Sequence, residues 1–339
     1  MNAVVHTATS PVAVDHSAET CPAAQTVPTA EGIPTSATVS VVIATRGRPD
    51  MLRAALRSIL AQDYEGLLEV VVVFDQTEID PLEDVRARDA SRVPIHAVAN
   101  QRTPGLAGGR NTGIMVAQGD LVAFCDDDDE WEPAKLARQV QAWHGSPDAV
   151  AVAAGIRVRT EGAAYVRVPP RRVSFSDFLE SRVTEIHPSG FLLRRSDLLG
   201  KVGLVDEDLP ASYGEDYDLL LRLARHGDVV SVQEPLVIVH WNRASFFSDK
   251  WQGIADGLTY LLRKFPEFEQ SPHGTARIAS QVAFAHAALG DRSEALRWVR
   301  SALRRNPRQL RAWAALAVAV RLVPAAFLVR LVNGRGRGL

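Results

Sequence analysis

The densest concentration of reactive groups is the run Asp126, Asp127, Asp128 and Asp129, followed by Glu130 and Trp131. Carboxylates packed this closely repel one another unless a cation or solvent offsets the charge. Hard oxygen ligands beside a diphosphate suit Mg²⁺ or Mn²⁺. A solvated acidic turn capping a helix that opens at Pro133 is the plainer alternative. An EF-hand fails on register, because its glycine and closing glutamate positions fall on Trp131 and Ala137. A second acidic pair, Glu215 and Asp216, opens an apolar-faced helix. A helix N-terminus favours an ionised carboxylate there, which is the form a general base needs to take a proton from a hydroxyl.

Other candidates are weaker alone. Asp75 ends an apolar run, where acids bind a nucleobase or ribose or simply make a turn. Gly105–Asn111 (GLAGGRN) offers backbone amides to a diphosphate, and Arg110 adds a charged hydrogen-bond group. Its spacing fits neither the phosphate loop nor the dinucleotide fingerprint. His187 and His240 are isolated, and single histidines are more often structural. His240 ends a strand and is a candidate further metal ligand. Trp131 reads as packing, while Trp241 and Trp251 suit either packing or stacking on a sugar.

These residues need elements to bring them together. Val39–Ala44 (VSVVIA), Glu69–Phe74 (EVVVVF), a stretch near Val93–Val98 and Leu121–Cys125 (LVAFC) are short apolar runs of the kind buried on both faces of a parallel sheet. Helices alternate with them; the first opens at Pro49 and Asp50 and buries Leu52, Leu56, Ile59 and Leu60. The pattern predicts an α/β, Rossmann-like, doubly wound sheet. Ligands of such sheets bind beyond the carboxyl ends of the strands. Thr45, Arg46, Asp75 and Asp126–Asp129 all fall at such ends and are expected to share one crevice. Further on, a helix is expected near Pro133–Trp143, a strand near Ala149–Val158, an irregular stretch to Arg195, a helix over Gly214–His226, and strands near Asp228–Val232 and Leu236–His240. Beyond about Phe247 the pattern is helical only.

The bulk numbers exclude several classes. Lys and Arg total 38 against 40 Asp and Glu, so no global basic field calls for nucleic acid. The two cysteines, Cys21 and Cys125, suggest neither a disulfide framework nor a zinc site; a reducing cytoplasm fits. Residues 1–37 lack the basic start and apolar stretch of a secretory signal and read as a disordered tail. Ala312–Val332 is the most apolar stretch, but Arg321, Pro324 and Arg330 interrupt it, so it does not qualify as a spanning helix.

In order, VSVVIATRGRPDMLRAALRSILAQ, VVVVFDQ, PGLAGGRNTGI, LVAFCDDDDEW and GEDYDLLLRL resemble the motifs of family 2 glycosyltransferases with the GT-A fold, over about Val39 to Arg243. The resemblance implies that Asp75 holds the nucleotide of a sugar donor, with Thr45, Arg46, Arg110, Asn111, Asp126 and Asp127 around it. It implies that Asp126 and Asp128 form a DxD motif bridging Mn²⁺ or Mg²⁺ and the diphosphate, and that Asp216, with Glu215 beside it, is the catalytic base. The implied reaction is a single displacement with inversion, from a nucleotide diphosphate sugar to an acceptor hydroxyl, in cell-surface polysaccharide or glycoconjugate synthesis. Many members have two adjacent acids after the second strand; here Gln76 follows Asp75. Neither the membrane helices nor the QxxRW motif of processive synthases is visible, so one addition per encounter is expected.

The C-terminal part is similar to a tetratricopeptide repeat at Gly290, Ala295, Val299, Ala302 and Pro307. The division expected is thus 1–37 tail, 38–247 GT-A domain and 248–339 helical extension. With Arg330, Arg335 and Arg337, the end of the chain is a candidate for contact with a protein or with the inner face of a membrane. Two rival functions stay open: a nucleotidyltransferase on a similar sheet, faintly suggested by Arg46-Gly47-Arg48, and a catalytically silent scaffold acting through the helical extension. Tyr165–His187 is the expected acceptor side, and it carries no readable code.

Overall fold

A computed structural model describes residues 36–87, 93–160, 162–241 and 251–333. Most of the expected tail, Cys21, the change of pattern at Phe247, and Arg243, Arg335 and Arg337 lie outside the described residues.

The strands are β1 (Val39–Thr45), β2 (Leu67–Phe74), β3 (Ile95–Ala99), β4 (Leu121–Phe124), β5 (Glu130–Trp131), β6 (Ala151–Arg159), β7 (Ala164–Arg167), β8 (Arg172–Val173), β9 (Leu192–Arg194) and β10 (Val229–His240). They form one sheet in the order β3-β2-β1-β4-β9-β6-β10-β5, with β7 on β6 and β8 on β10. β1 pairs in parallel with β2 on one side and β4 on the other, so the strand order reverses at β1. That reversal opens the crevice where ligands of such sheets bind. The sheet is mixed, because β9 runs antiparallel between β4 and β6. This three-residue strand lay hidden in the stretch read as irregular. The two late strands expected from sequence are one, β10, whose pairing with β6 shifts register around Pro235. Proline has no N–H to give the ladder, so the strand bulges there without ending.

The helices are α1 (Pro49–Leu60), α2 (Glu83–Arg86), α3 (Leu106–Val116), α4 (Lys135–His144), α5 (Phe175–Glu180), α6 (Arg195–Leu199), α7 (Glu215–Ala224), α8 (Trp251–Lys264), α9 (Pro272–Leu289), α10 (Arg292–Arg305), α11 (Leu310–Ala319) and α12 (Ala325–Asn333). Alternate residues of β1 and β2 serve opposite cores. Val41, Ile43, Val70 and Val72 meet Leu52, Leu56 and Ile59 of α1 and Leu136, Val140 and Trp143 of α4. Val42, Val71 and Val73 belong to the other core, with Ile114 of α3, Leu220 and Leu221 of α7, Leu258 and Leu261 of α8, and Ile278 and Val282 of α9. Trp131 is buried, as expected of a packing residue.

The glycines before and within α3 serve close packing. A Cβ on Gly113 would stand 2.2 Å from Val42 Cγ1, and one on Gly108 would stand 1.9 Å from the Thr103 carbonyl oxygen. The helix can therefore lie directly on β1, which puts Arg110 under the carboxyl edge of the sheet. Gly113→Ala is expected to lose about 1–3 kcal/mol, as overpacking usually does. Urea unfolding checks this, and an unchanged midpoint would contradict the contact.

The C-terminal helices are tied to α7 by charge as well as by the shared core. Lys264 of α8 lies 2.6 Å from Asp218 and 2.6 Å from Asp206, and Arg277 of α9 donates to the Tyr217 hydroxyl at 3.0 Å. Gly290, with φ +82°, closes α9, and Asp291 caps α10 by accepting from the Glu294 amide at 3.1 Å. α10 buries Ala295, Val299 and Ala302 against its neighbours.

Candidate active site

The carboxyl edge around β1 and β4 gathers the acidic run. Each of its four members meets protein partners, so the expected repulsion is offset by side chains of the chain itself. Arg110 donates to Asp126 at 2.7 Å. Thr45 donates to Asp127 at 2.8 Å, and Arg48 reaches Asp127 at 3.2 Å and Asp128 at 2.8 Å. Ser189 donates to Asp129 at 2.6 Å while its oxygen accepts from the Asp126 amide at 3.0 Å. Burial pushes the Asp127 carboxyl above its usual range, and the Thr45 bond and Arg48 only partly offset that.

Among the described residues, one group of potential metal ligands has its ligand atoms within 4.8 Å of one another: Asp126, Asp129 and His187. Two carboxylates and an imidazole form a ligand set suited to Mn²⁺ and related ions. Burial lowers the His187 pKa and so favours the neutral ring, the form that binds metal. Asp128 and His240 are not in this group. Asp128 faces Arg48, and His240 Nε2 lies 2.8 Å from Glu130 Oε1, across the pairing of β10 with β5.

Arg110 also joins the two acidic centres. Its buried guanidinium bonds Glu215 as well as Asp126 and lies 5.2 Å over the Phe124 ring. Gly214, with φ +91°, turns the chain into α7 so that Glu215 and Asp216 occupy its first turn, both buried. Asp216 accepts two bonds from Arg182 Nη2, at 2.6 and 2.9 Å. Burial alone would raise the Asp216 pKa, but the Arg182 charge and hydrogen bond outweigh it and hold the carboxyl below its usual range. Glu215 goes the other way: burial pushes it up to about 7 despite Arg110. Environments that separate neighbouring carboxyl groups assign them different roles. The surroundings thus favour the ionised form of Asp216 and the protonated form of Glu215.

This arrangement makes a pH prediction. Without Arg182, burial governs Asp216 and its pKa rises, so the ionised fraction falls at a given pH. Arg182→Gln is expected to move the acid limb of the kcat/KM profile upward by roughly 1–3 pH units, the effect of losing one close opposite charge. An unshifted limb in the folded variant would contradict the pairing.

Asp75 is buried at the end of β2 and organises loops. It accepts from Asn100 Nδ2 at 2.8 Å, from Gln76 at 3.0 Å and from the Gly105 amide at 3.1 Å. Arg46 is exposed at the mouth of the crevice. Asn111 is wholly buried, and its amide is occupied by Val205 and Glu207: it accepts from the Val205 amide and donates to the Val205 carbonyl, both at 2.8 Å. It anchors the approach to α7. The sequence placed Asp129 in the acidic run without giving it a role of its own, offered Arg48 only as a faint sign of a nucleotidyltransferase, did not point to Arg182 or Ser189, and left His187 as structural.

This geometry is that of a GT-A glycosyltransferase, with a parallel half-sheet ending in an acidic turn and an acid pair delivered across it by a later helix. The chain belongs to glycosyl transferase family 2, whose family model matches residues 40–201. It is 30% identical over 195 residues to the uncharacterized glycosyltransferase YwdF of Bacillus subtilis, covering 55% of this chain and 68% of that one. It is 26% identical over 211 residues to the putative colanic acid biosynthesis glycosyl transferase WcaA of Escherichia coli, covering 60% and 72%. The mannosyltransferase PcManGT of Pyrobaculum calidifontis, solved with GDP-Man and Mn²⁺, shares the fold with a TM-score of 0.53 and 19% identity, covering 86% of this chain and 88% of that one.

Proposed function

We propose that the protein transfers one sugar per encounter from a nucleotide diphosphate donor to an acceptor hydroxyl, with inversion, in the synthesis of a surface polysaccharide or glycoconjugate. The observation that carries this reading is Asp216 at the start of α7, paired with Arg182 and next in the chain to Glu215, which Arg110 joins to Asp126. In this reading Asp216 takes the proton of the acceptor hydroxyl. The freed oxygen forms a bond to the anomeric carbon as the bond to the diphosphate oxygen breaks on the opposite face. Arg48 and Arg110 remain beside the leaving diphosphate, where cations stabilise developing charge. Asp126, Asp129 and His187 would hold a divalent ion, which supplies further charge neutralisation to the leaving group. Asp75 and the loop it fastens would receive the nucleoside. The biosynthetic role rests on relatives such as WcaA, and the metal on the ligand set and the Mn²⁺ complex of PcManGT.

Proton NMR of the sugar released from a turned-over nucleotide donor tests the stereochemistry. The first-formed anomer is expected to be inverted relative to the donor. Retention would overturn the single displacement, because one base acting on one face cannot produce it.

A further inference from the structure

We propose that the C-terminal end of the fold, α11 and α12, is a docking surface for an anionic lipid bilayer. The inference does not depend on the assignment of the catalytic residues. From Ala295 to Leu339 the sequence has ten arginines and no Asp, Glu or Lys, in a chain whose net charge is −2. The charge asymmetry is thus confined to one end of the chain.

The same end displays large apolar side chains to solvent. Leu310 is 82% exposed, Leu322 77%, Phe327 56% and Trp313 50%. Helix α11 is apolar on both sides, with the smaller residues inside. Its buried positions are Ala312, Ala315, Val318 and Ala319, while Leu310, Trp313 and Val320 recur outward at helical spacing. In α12, Leu328 and Val329 pack inward, whereas Phe327 and Leu331, one turn apart, stay exposed with Arg330. Arg321 and Leu322 stand exposed at the turn between the two helices.

Exposed Trp, Phe and Leu interleaved with arginines fit the headgroup boundary of a bilayer, which takes the apolar groups while the guanidinium groups stay with the lipid phosphates. Charge decides among the occupants. A segment free of acids from Ala295 onward, which presents exposed Arg321 and Arg330 beside the apolar side chains, is complementary to a continuous negative surface, whereas a nucleic acid would leave the apolar stripe unburied. No described helix is long and apolar enough to cross a membrane, so the contact is peripheral.

The test is sedimentation of the full chain with vesicles of phosphatidylcholine alone or with about one-third phosphatidylglycerol. Binding is expected to be at least about tenfold stronger on the anionic vesicles and to weaken with added salt. Arg321→Ala and Arg330→Ala are each expected to lower it about fivefold. The double variant Leu322→Glu/Phe327→Glu, at exposed positions whose change leaves the unfolding midpoint in place, is expected to abolish it. Equal binding to neutral vesicles, or none to anionic ones, would overturn the proposal. So would full binding by the double variant, which would mark a contact made by charge alone.

Discussion

Asp216→Asn is expected to lower kcat by about 10²–10⁴-fold, the range lost with a general base, while the protein stays folded. The amide is isosteric and keeps a hydrogen-bond acceptor for Arg182, but it cannot take a proton from the acceptor. Arg182 is 29% exposed, so water replaces part of the lost charge interaction. KM for the donor is expected to change little, since the proposed base acts on the acceptor. The comparison is made on protein whose unfolding midpoint has been measured. A folded Asp216→Asn enzyme retaining more than about a tenth of wild-type kcat would remove Asp216 from the base role.

Asp126→Asn is expected to cost about 10³-fold in kcat/KM, from loss of several kcal/mol of charge stabilisation. Two consequences combine. The change removes the negative charge from one of the three close ligand groups, and it leaves Arg110 with Glu215 as its remaining anionic partner. Nucleotide binding by this variant is expected to lose its dependence on Mn²⁺, which separates a ligand role from a packing role. The same titration on His187→Ala and His240→Ala distinguishes the two histidines. In this structure His187 stands with the carboxylates and His240 stands on Glu130, so His187→Ala is expected to follow Asp126→Asn. If His240→Ala did so instead, the ligand set would have to be redrawn around the end of β10.

The elements that position the site were readable wherever hydrophobic period and chain-end chemistry coincide. β1, β2 and β4 are continuous apolar runs because both their faces are covered, and α1 begins with a proline and an acid in its first turn. The Asp126–Asp129 run stood out because closely packed carboxylates repel without a cation or solvent, and the Glu215–Asp216 pair because it opens an apolar-faced helix. The partners themselves were not readable. Arg48 and Arg182 come from loops and Ser189 from the short 3-10 turn Pro188–Gly190; loop arginines are common on any surface, so only the folded chain shows that these groups face carboxylates. Nor were the partners of Asn111 readable. It sits beside Arg110 in a glycine-rich stretch, and its amide bonds Val205 and Glu207. β9 is three residues long and too short to show a period, and Pro235 made one strand look like two. The arginines and exposed leucines after Ala295 were visible in sequence, but which apolar residues face outward is a matter of packing.

The central claim is that the carboxyl edge of this sheet binds a nucleoside diphosphate through a metal. Calorimetric titration of the purified protein with UDP, GDP and dTDP, each with Mn²⁺ and with chelator, tests it most directly. The account predicts that one of the three binds with Mn²⁺ and loses most of its affinity in chelator. Failure of all three to bind, or binding indifferent to the metal, would contradict it.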